Sequence, residues 1–256
     1  MRIQRSNVND RRALVAVALA VLAGVSRPAF AGKPVDLVLA VPAGTTLHYK
    51  IAQDTEATYQ GLPVGGMLRA ELDLRLVESE SEGENIRVQV AYLRVEASRK
   101  MGDEVQAQEL GLDGMKGQAE FTKRGKLVKF DAPLEATKEQ QRVLSKLVDA
   151  VFVELPPQPV EADDTWTLDH SDPAETVTGS GDYVLESVGT KDGIQVAKIS
   201  GETTVKSETP ALTGKGRTQA EIAVDGGYPL LVKGSTDLTP AEGPTVSQSF
   251  EIRLAK

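Results

Sequence analysis

Residues 68–76 alternate without error between apolar residues at even positions and charged residues at odd positions. Successive side chains of a β-strand point to opposite faces, so this pattern predicts a strand with one face on a core and the other in water. Similar patterns predict strands at residues 47–60, 86–97, 183–188, 194–205, 218–224, 230–238 and 250–254. The chain has roughly nine to eleven such segments and no βαβ spacing, which favours an antiparallel sheet.

Two local features refine this pattern. After Tyr92 the apolar phase shifts to Leu93 and Val95, which predicts a β-bulge near Tyr92 that bends the strand. Asp192-Gly193 and Gly226-Gly227 suit the positive φ angles of tight hairpin turns.

One segment, residues 133–155, has helical periodicity instead. Thr137 and Gln140 fit a capping box, and Pro156 is expected to end the helix. The apolar face of this helix comprises Val143, Leu144, Leu147, Val148, Val151 and Phe152. We therefore predict a mainly β fold, in which one curved antiparallel sheet forms an open half-barrel with an amphipathic helix packed on it. The candidate residues facing a groove between helix and sheet are Leu144, Leu147, Val148, Val151 and Phe152.

The first 31 residues have the layout of a secretory signal peptide. Four arginines precede the uncharged apolar run at residues 13–25, and Ala29-Phe30-Ala31 fits the cleavage pattern. Arg11-Arg12 resembles a twin-arginine signal in part, so export by that route or by the general secretory route stays open. No later segment reaches the roughly 20 apolar residues of a membrane-spanning helix, so no anchor is expected after cleavage.

The expected organisation is a signal peptide at 1–31 and one β-rich domain at 32–256. That domain comprises an N-terminal half at 32–132, the helix and a proline-rich connector at 133–159, and a C-terminal half at 160–256. Each half has too few apolar residues for a core of its own.

Composition narrows the function classes. Removing residues 1–31 leaves 24 basic and 36 acidic residues, a net charge of −12, which disfavours nucleic acid as a partner. The 256-residue chain has no cysteine, which excludes disulfides, thiolate sites and lipid attachment at cysteine. Exported eukaryotic β domains often use disulfides, so a bacterial periplasm or exterior is the expected location.

No motif specifies a catalytic, metal or cofactor site. His48 and His170 lie far apart in the sequence, with no nucleophile elbow for a serine hydrolase and too few ligands for zinc. The acidic stretch at residues 78–84 lacks the spacing of a calcium loop and is interpreted as a hairpin tip. Trp166 is interpreted as a core residue, and Gly214-Lys215-Gly216-Arg217 as a turn. We therefore predict no catalytic residue, no metal and no cofactor.

A basic island stands out in this acidic chain. Lys123, Arg124, Lys126 and Lys129 lie on a predicted hairpin and form a candidate patch for an acidic partner or headgroup. The alternative interpretation is a solvated hairpin face.

Residues 154–167 carry a family resemblance. The run Glu-Leu-Pro-Pro-Gln-Pro-Val, then Asp163-Asp164-Thr165-Trp166-Thr167, then hairpins with Asp-Gly and Gly-Gly turns, resembles a family of uncharacterised exported bacterial proteins. That family has a half-barrel sheet like the periplasmic lipoprotein carriers. The resemblance covers residues 130–256 and implies a fold and a compartment, but no catalytic residues.

The function expected from the sequence is therefore non-enzymatic. A curved sheet and a helix enclosing an apolar groove suit an acyl chain or an apolar peptide. The alternative is an envelope structural or interaction protein whose core is closed by the helix. Across these functions, the expected partner is a lipid or an envelope protein. A hydrolase is the least favoured class.

Overall fold

Twelve β-strands and one α-helix form in the part of the chain that the computed structural model describes, which is residues 33–77, 85–172, 177–208 and 211–255. The predicted signal peptide and the acidic stretch at 78–84 lie outside these residues. The elements are β1 Thr46–Tyr59, β2 Leu62–Val77, β3 Asn85–Met101, β4 Glu104–Gln108, β5 Lys116–Thr122, β6 Leu127–Asp131, α1 Lys138–Asp149, β7 Thr165–Asp172, β8 Val177–Lys191, β9 Ile194–Glu208, β10 Ala211–Ala223, β11 Pro229–Pro240 and β12 Val246–Leu254.

All the strands belong to one open antiparallel sheet, which confirms the predicted fold class. The order is β6-β5-β3-β2-β1-β12-β11-β10-β9-β8-β7, and β4 pairs with the end of β3. Pairing of β1 with β12 joins the first and last strands in the middle of the sheet. The number of strands described exceeds the nine to eleven predicted from the sequence. In β4, for example, all five residues are exposed, so the strand lacks the alternation of buried and exposed positions that would predict it.

The predicted bulge in β3 is confirmed. Leu72 pairs with Tyr92 and Glu71 pairs with Arg94, which leaves Leu93 as the extra residue. Residues of the loop between β4 and β5 accept hydrogen bonds from backbone amides beside the bulge. The Tyr92 amide donates to the Met115 carbonyl, and the Val95 amide donates to Asp113 Oδ1. The bulge keeps Tyr92 and Val95 both buried on either side of the phase change.

The predicted hairpin turns are also present. Asp192 and Gly193 connect β8 to β9 with φ angles of 52° and 80°, the backbone of a two-residue turn that matches the strand twist. The interpretation of residues 214–217 as a turn is wrong, because they lie inside β10. A Cβ on Gly216 would lie 2.6 Å from Thr203 Oγ1, so these glycines reflect close packing within the sheet instead of a chain reversal.

The helix begins as predicted and ends earlier than predicted. Thr137 and Gln140 form the reciprocal capping box. The helix ends at Asp149, well before Pro156, because Val151, Phe152 and Val153 have lower helix propensity and the chain turns to bury two of them. Phe152 then packs edge-on against Phe121, with ring centroids 4.7 Å apart.

The helix is fastened to the sheet through a buried phenol. Tyr92 Oη donates a hydrogen bond of 2.8 Å to the carbonyl oxygen of Leu144 in α1. Burial raises the pKa of Tyr92 well above the usual range for a tyrosine, and burial also raises the pKa of Tyr49. Both side chains are therefore neutral in the folded protein, and Tyr49 Oη donates to the Pro229 carbonyl.

These phenols predict a loss of stability at alkaline pH. The folded state holds both protons above the ordinary phenol pKa of about 10, whereas the unfolded state releases them there. The stabilisation is complete below that pH and declines as the pH rises above it. We expect Tyr92→Phe to cost about 1–2 kcal/mol through the lost hydrogen bond at neutral pH, and to flatten the alkaline decline.

Urea unfolding at about pH 9 and about pH 11 measures both effects, since the two conditions bracket phenol ionisation. Tyr59→Phe is the matched control, because Tyr59 is largely exposed. An alkaline decline equally steep in Tyr92→Phe and the wild type would contradict the role given to this phenol.

Candidate ligand groove

The strand registers define a continuous inner face. One row of paired residues crosses eight strands and is buried at every position: Val95, Ala70, Ile51, Ile252, Val232, Ala220, Ile199 and Leu185. We call this the core row. Three further rows of the same face follow at two-residue intervals, toward the ends of the strands that carry Tyr59 and Met101. We call them the second, third and fourth rows.

These further rows are composed of small, apolar and uncharged polar residues. The second row is Ala97, Leu68, Gln53, Phe250, Gly234, Thr218, Gly201 and Tyr183. The third is Arg99, Gly66, Thr55, Gln248, Thr236, Gly216, Thr203 and Gly181, and the fourth is Met101, Val64, Ala57, Val246, Leu238, Gly214, Val205 and Gly179. Arg99 is the single charged residue among these four rows of eight positions.

The outer face of the same strands has the opposite character. The three rows that lie between the inner rows contain twelve charged residues: Glu96, Arg69, Glu251, Lys233, Asp54, Arg217, Glu202, Asp182, Lys100, Glu56, Asp237 and Lys215. Several of them pair across strands, including Arg69 with Asp54 and Lys233 with Glu251. Within these rows, charge is therefore placed on the solvated side and is nearly absent from the inner side.

The inner face borders a groove of about 800 Å³. One wall comes from α1 and the segment after it, through Val143, Leu147, Phe152 and Val153. The other wall comes from the sheet, and it includes Ile51, Gln53, Leu68, Tyr183, Val205, Thr218, Val232, Thr236, Gln248, Phe250 and Ile252. The groove thus begins where the helix stops covering the inner face and continues into the second and third rows.

Two aromatic rings shape the sheet wall. The ring of Phe250 lies over Gly234, and a Cβ at that glycine would lie 2.5 Å from the ring atom Cε1. The ring of Tyr183 lies over Gly181 and Gly201 in the same way and stacks on Trp166, with centroids 5.9 Å apart. Glycine lets each ring lie flat against the backbone, which keeps the groove open above it.

Trp166 lies in the core, as predicted. Its side chain is buried beside Tyr183, and its indole Nε1 has no hydrogen-bond partner among the residues described. Burial raises the pKa of the Tyr183 phenol, and the nearby Glu154 carboxylate raises it further.

The predicted groove residues divide into two sets. Leu147 and Phe152 line the groove. Leu144, Val148 and Val151 are completely buried in the core cluster beneath the helix and do not border the groove. Sequence periodicity did not find the sheet residues of the groove, because their common face becomes visible only when the registers of eight strands are combined.

Two of the four basic residues on this hairpin, Arg124 and Lys129, form contacts within the protein. Arg124 donates to Asp36 Oδ1 at 2.7 Å and to the Leu37 carbonyl, which fastens the N-terminal segment, and Lys129 pairs with Asp131. Lys123 and Lys126 are exposed, and Lys126 borders the groove next to Lys146 and Glu154.

Other candidates do not assemble into a site. His48 lies on the outer face, where its Nδ1 is 2.7 Å from Asp73 Oδ1. The backbone of His170 in β7 pairs with Gly179 in β8, but the side chain of His170 is not among the parts that the structure describes. A second cavity of about 840 Å³ lies beside residues 131–135 and has charged walls that include Asp73, Arg75 and Lys116. The described residues contain no cluster of three His, Cys, Asp or Glu side chains suited to a metal ion.

Comparison with known proteins gives a fold and no family. No family model and no curated protein matches the sequence. The fold is similar to part of lipovitellin. A lipovitellin structure determined to describe its lipid–protein interactions superposes with a TM-score of 0.62 at 8% identity, over 84% of this chain and 25% of the lipovitellin chain. The chain therefore spans about a quarter of the length of that protein, and at this identity the likeness concerns the fold alone.

Two further structures align with low superposition scores. A Bacteroides fragilis protein with a YmcC-like fold, proposed to be exported, covers 86% of this chain and 99% of its own at 8% identity and a TM-score of 0.30. A DUF1329 family protein from Desulfovibrio piger covers 82% of this chain and 86% of its own at 10% identity and a TM-score of 0.20. Scores this low do not establish a common fold. Among the residues described, no helix has the length and apolar character needed to cross a membrane.

Proposed function

We propose that this is a non-enzymatic, exported bacterial protein that binds an acyl chain or an apolar peptide in the groove between α1 and the inner face. The observation that carries the proposal is the inner face itself. It extends two to three rows beyond the cover of the helix and contains a single charge in four rows, while the outer face is densely charged.

The size and lining of the groove support this assignment. A volume of about 800 Å³ falls within the range of small-molecule pockets, which are mostly apolar with a few placed polar groups. Val205, Phe250 and Ile252 supply apolar surface, and Thr236 and Gln248 supply hydrogen-bonding groups. Removing apolar surface from water favours an occupant with a chain-like apolar portion, since the gain scales with the area buried.

The similarity to lipovitellin is consistent with a lipid-like ligand, as the lipovitellin structure describes lipid–protein interactions. Because the likeness covers a quarter of that chain, it supports the proposal through the shape of the sheet only. The proposal of export rests on the signal-like layout of residues 1–31.

A structural role with a closed core is the second candidate. The observation that favours it is the tight cover of the N-terminal part of the sheet, where Leu144 and Val148 are completely buried and Tyr92 binds the helix backbone. That packing closes one end of the inner face and leaves the groove rows uncovered, so the ligand-binding role is the better supported of the two.

Native mass spectrometry with lipid extraction, on protein purified from its own periplasm, tests the proposal. We expect a bound acyl-containing or peptide mass in the wild type. Thr236→Glu places a carboxylate in the groove and should reduce the occupied fraction at least about tenfold, because a charge is costly in an apolar site. Ser235→Glu is the matched control, since Ser235 is the preceding residue on the outer face.

Two results would oppose the proposal. A wild-type protein that carries no ligand and binds no acyl probe supports the closed structural role. Equal occupancy in Thr236→Glu and Ser235→Glu would place the ligand outside the groove.

A further inference from the structure

We propose that Arg99 binds the anionic headgroup of an amphiphile whose acyl chain lies on the inner face. This inference rests on the proposed function and adds the chemical class of the ligand, which is an acyl chain ending in a carboxylate or phosphate group. Its basis is the position of Arg99 as the single charge on an otherwise uncharged surface of four rows and eight strands.

The charge of Arg99 is also not balanced by an ion pair. Its side chain is exposed, and it forms no ion pair with any residue that the structure describes. Several arginines of the outer face are paired instead: Arg69 with Asp54, Arg94 with Glu96 and Arg253 with Glu251. The nearest carboxylate on this face is that of Glu104 in β4, which pairs with Met101, the fourth-row residue two positions after Arg99. No ion pair joins Glu104 to Arg99, so the guanidinium is available to a ligand anion.

The neighbours of Arg99 connect it to the groove. Gly66 pairs directly with Arg99 and has no side chain, and Thr55 follows on the next strand of the same row. Leu68, which lines the groove, lies on the strand adjacent to Arg99 and one row closer to the core. Neighbouring strands are about 4.8 Å apart and same-face residues about 7 Å apart, so the headgroup position lies within about 10 Å of the groove wall.

The rows around Arg99 have the polarity expected for such a ligand. Hydroxyl and amide groups share the third row, at Thr55, Thr236 and Gln248, and the core row is entirely apolar. A guanidinium forms paired, charge-assisted hydrogen bonds with carboxylate or phosphate oxygens. The chain as a whole has a net charge of −8, which repels anions, so attraction of an anionic headgroup requires a local cation. Lys126 and Lys146 border the groove on its helix side, and Arg99 is the cation on the inner face of the sheet itself.

Binding of the fluorescent cis-parinaric acid, compared with its uncharged methyl ester, tests the proposal on the full exported chain. We expect the acid to bind about five- to tenfold more tightly than the ester, a ratio typical of a partly exposed charge-assisted contact. Arg99→Gln should remove this preference by weakening binding of the acid and leaving the ester unchanged. Arg99→Lys should restore a substantial part of the preference.

Lys100→Gln provides the matched control. It removes one positive charge from the next residue of the same strand, which points to the outer face. We expect its preference for the acid to equal that of the wild type. Equal loss in Arg99→Gln and Lys100→Gln would show a general charge effect and overturn the proposal.

The outcomes separate this inference from the proposed function. If both probes bind and the wild type does not prefer the acid, the groove binds acyl chains and the assignment of Arg99 is wrong. If neither probe binds, the proposed function fails and this inference fails with it. Competition by palmitate and by a monoacyl phosphate identifies the source of the anion, since the stronger competitor reveals whether carboxylate or phosphate is preferred.

Discussion

Leu144→Ala is expected to lower the free energy of unfolding by about 3–5 kcal/mol, the cost typical of deleting a fully buried leucine side chain in a rigid core. Leu144 is 0% exposed and belongs to the same core cluster as Leu147, Val148 and Phe152. Its own carbonyl accepts the Tyr92 hydrogen bond, so the surrounding backbone is held in place and cannot collapse freely into the cavity.

Leu134→Ala is the control for this substitution. Leu134 is completely exposed in the loop before the helix, so the same chemical change should alter stability by less than about 0.5 kcal/mol. Leu147→Ala should fall between the two, at about 2–3 kcal/mol, because Leu147 is 5% exposed and borders the groove.

Denaturant unfolding of these variants distinguishes a packed helix from a mobile lid. A loss below about 1 kcal/mol for both Leu144→Ala and Leu147→Ala would mean that α1 lies loosely over the sheet, contrary to the burial seen here. A large loss for Leu144→Ala would show that the helix is packed firmly on the sheet, and in that case we expect a ligand to enter at the open rows.

Features that depend on short stretches of sequence were predictable. The alternation at residues 68–76 identified the C-terminal part of β2, and the phase change after Tyr92 identified the bulge at Leu93. Thr137 and Gln140 identified the helix start, since a capping box uses two residues three positions apart. Each signal lies within a few residues and depends on backbone geometry that the local side chains determine.

Features that depend on strand pairing were not predictable from one segment. Local sequence favours a turn at Gly214 and Gly216. The contacts that explain these glycines are with Leu238 and Thr203, which lie on the two strands next to β10 and are distant in sequence. The charge asymmetry between the two faces has the same origin. A one-residue change of register would move every side chain of a strand to the other face, so the position of Arg99 became informative only with the sheet complete.

The helix end illustrates a third case. The apolar period continues through Val151 and Phe152, yet the helix stops at Asp149 and both residues remain buried in irregular structure. Periodicity predicted which residues would be buried, but the conformation there depends on contacts with Phe121 and on the Leu155 amide donating to the Arg124 carbonyl.

Gly227→Ala is expected to destabilise the protein by about 2–4 kcal/mol, because it combines backbone strain with a steric clash. Gly227 has a φ of +63°, which side chains disfavour, and a Cβ there would overlap the Val38 carbonyl and lie 2.6 Å from the Leu39 amide nitrogen. The neighbouring segment carries Leu37 and Leu39 into the core, and its Ala40 amide donates to the Gly226 carbonyl.

Two other glycines separate these contributions. Gly193 has a φ of +80° with no atom within 4 Å of an added Cβ, so Gly193→Ala should show the backbone strain alone, about 1–2 kcal/mol. Gly189 has neither a positive φ nor a close neighbour, so Gly189→Ala should be neutral or stabilising by up to about 1 kcal/mol. Urea unfolding of the three variants measures the set. The excess of Gly227→Ala over Gly193→Ala reports how firmly residues 37–40 are packed on the core, and equal losses would show that this segment moves away from the added methyl group at no cost.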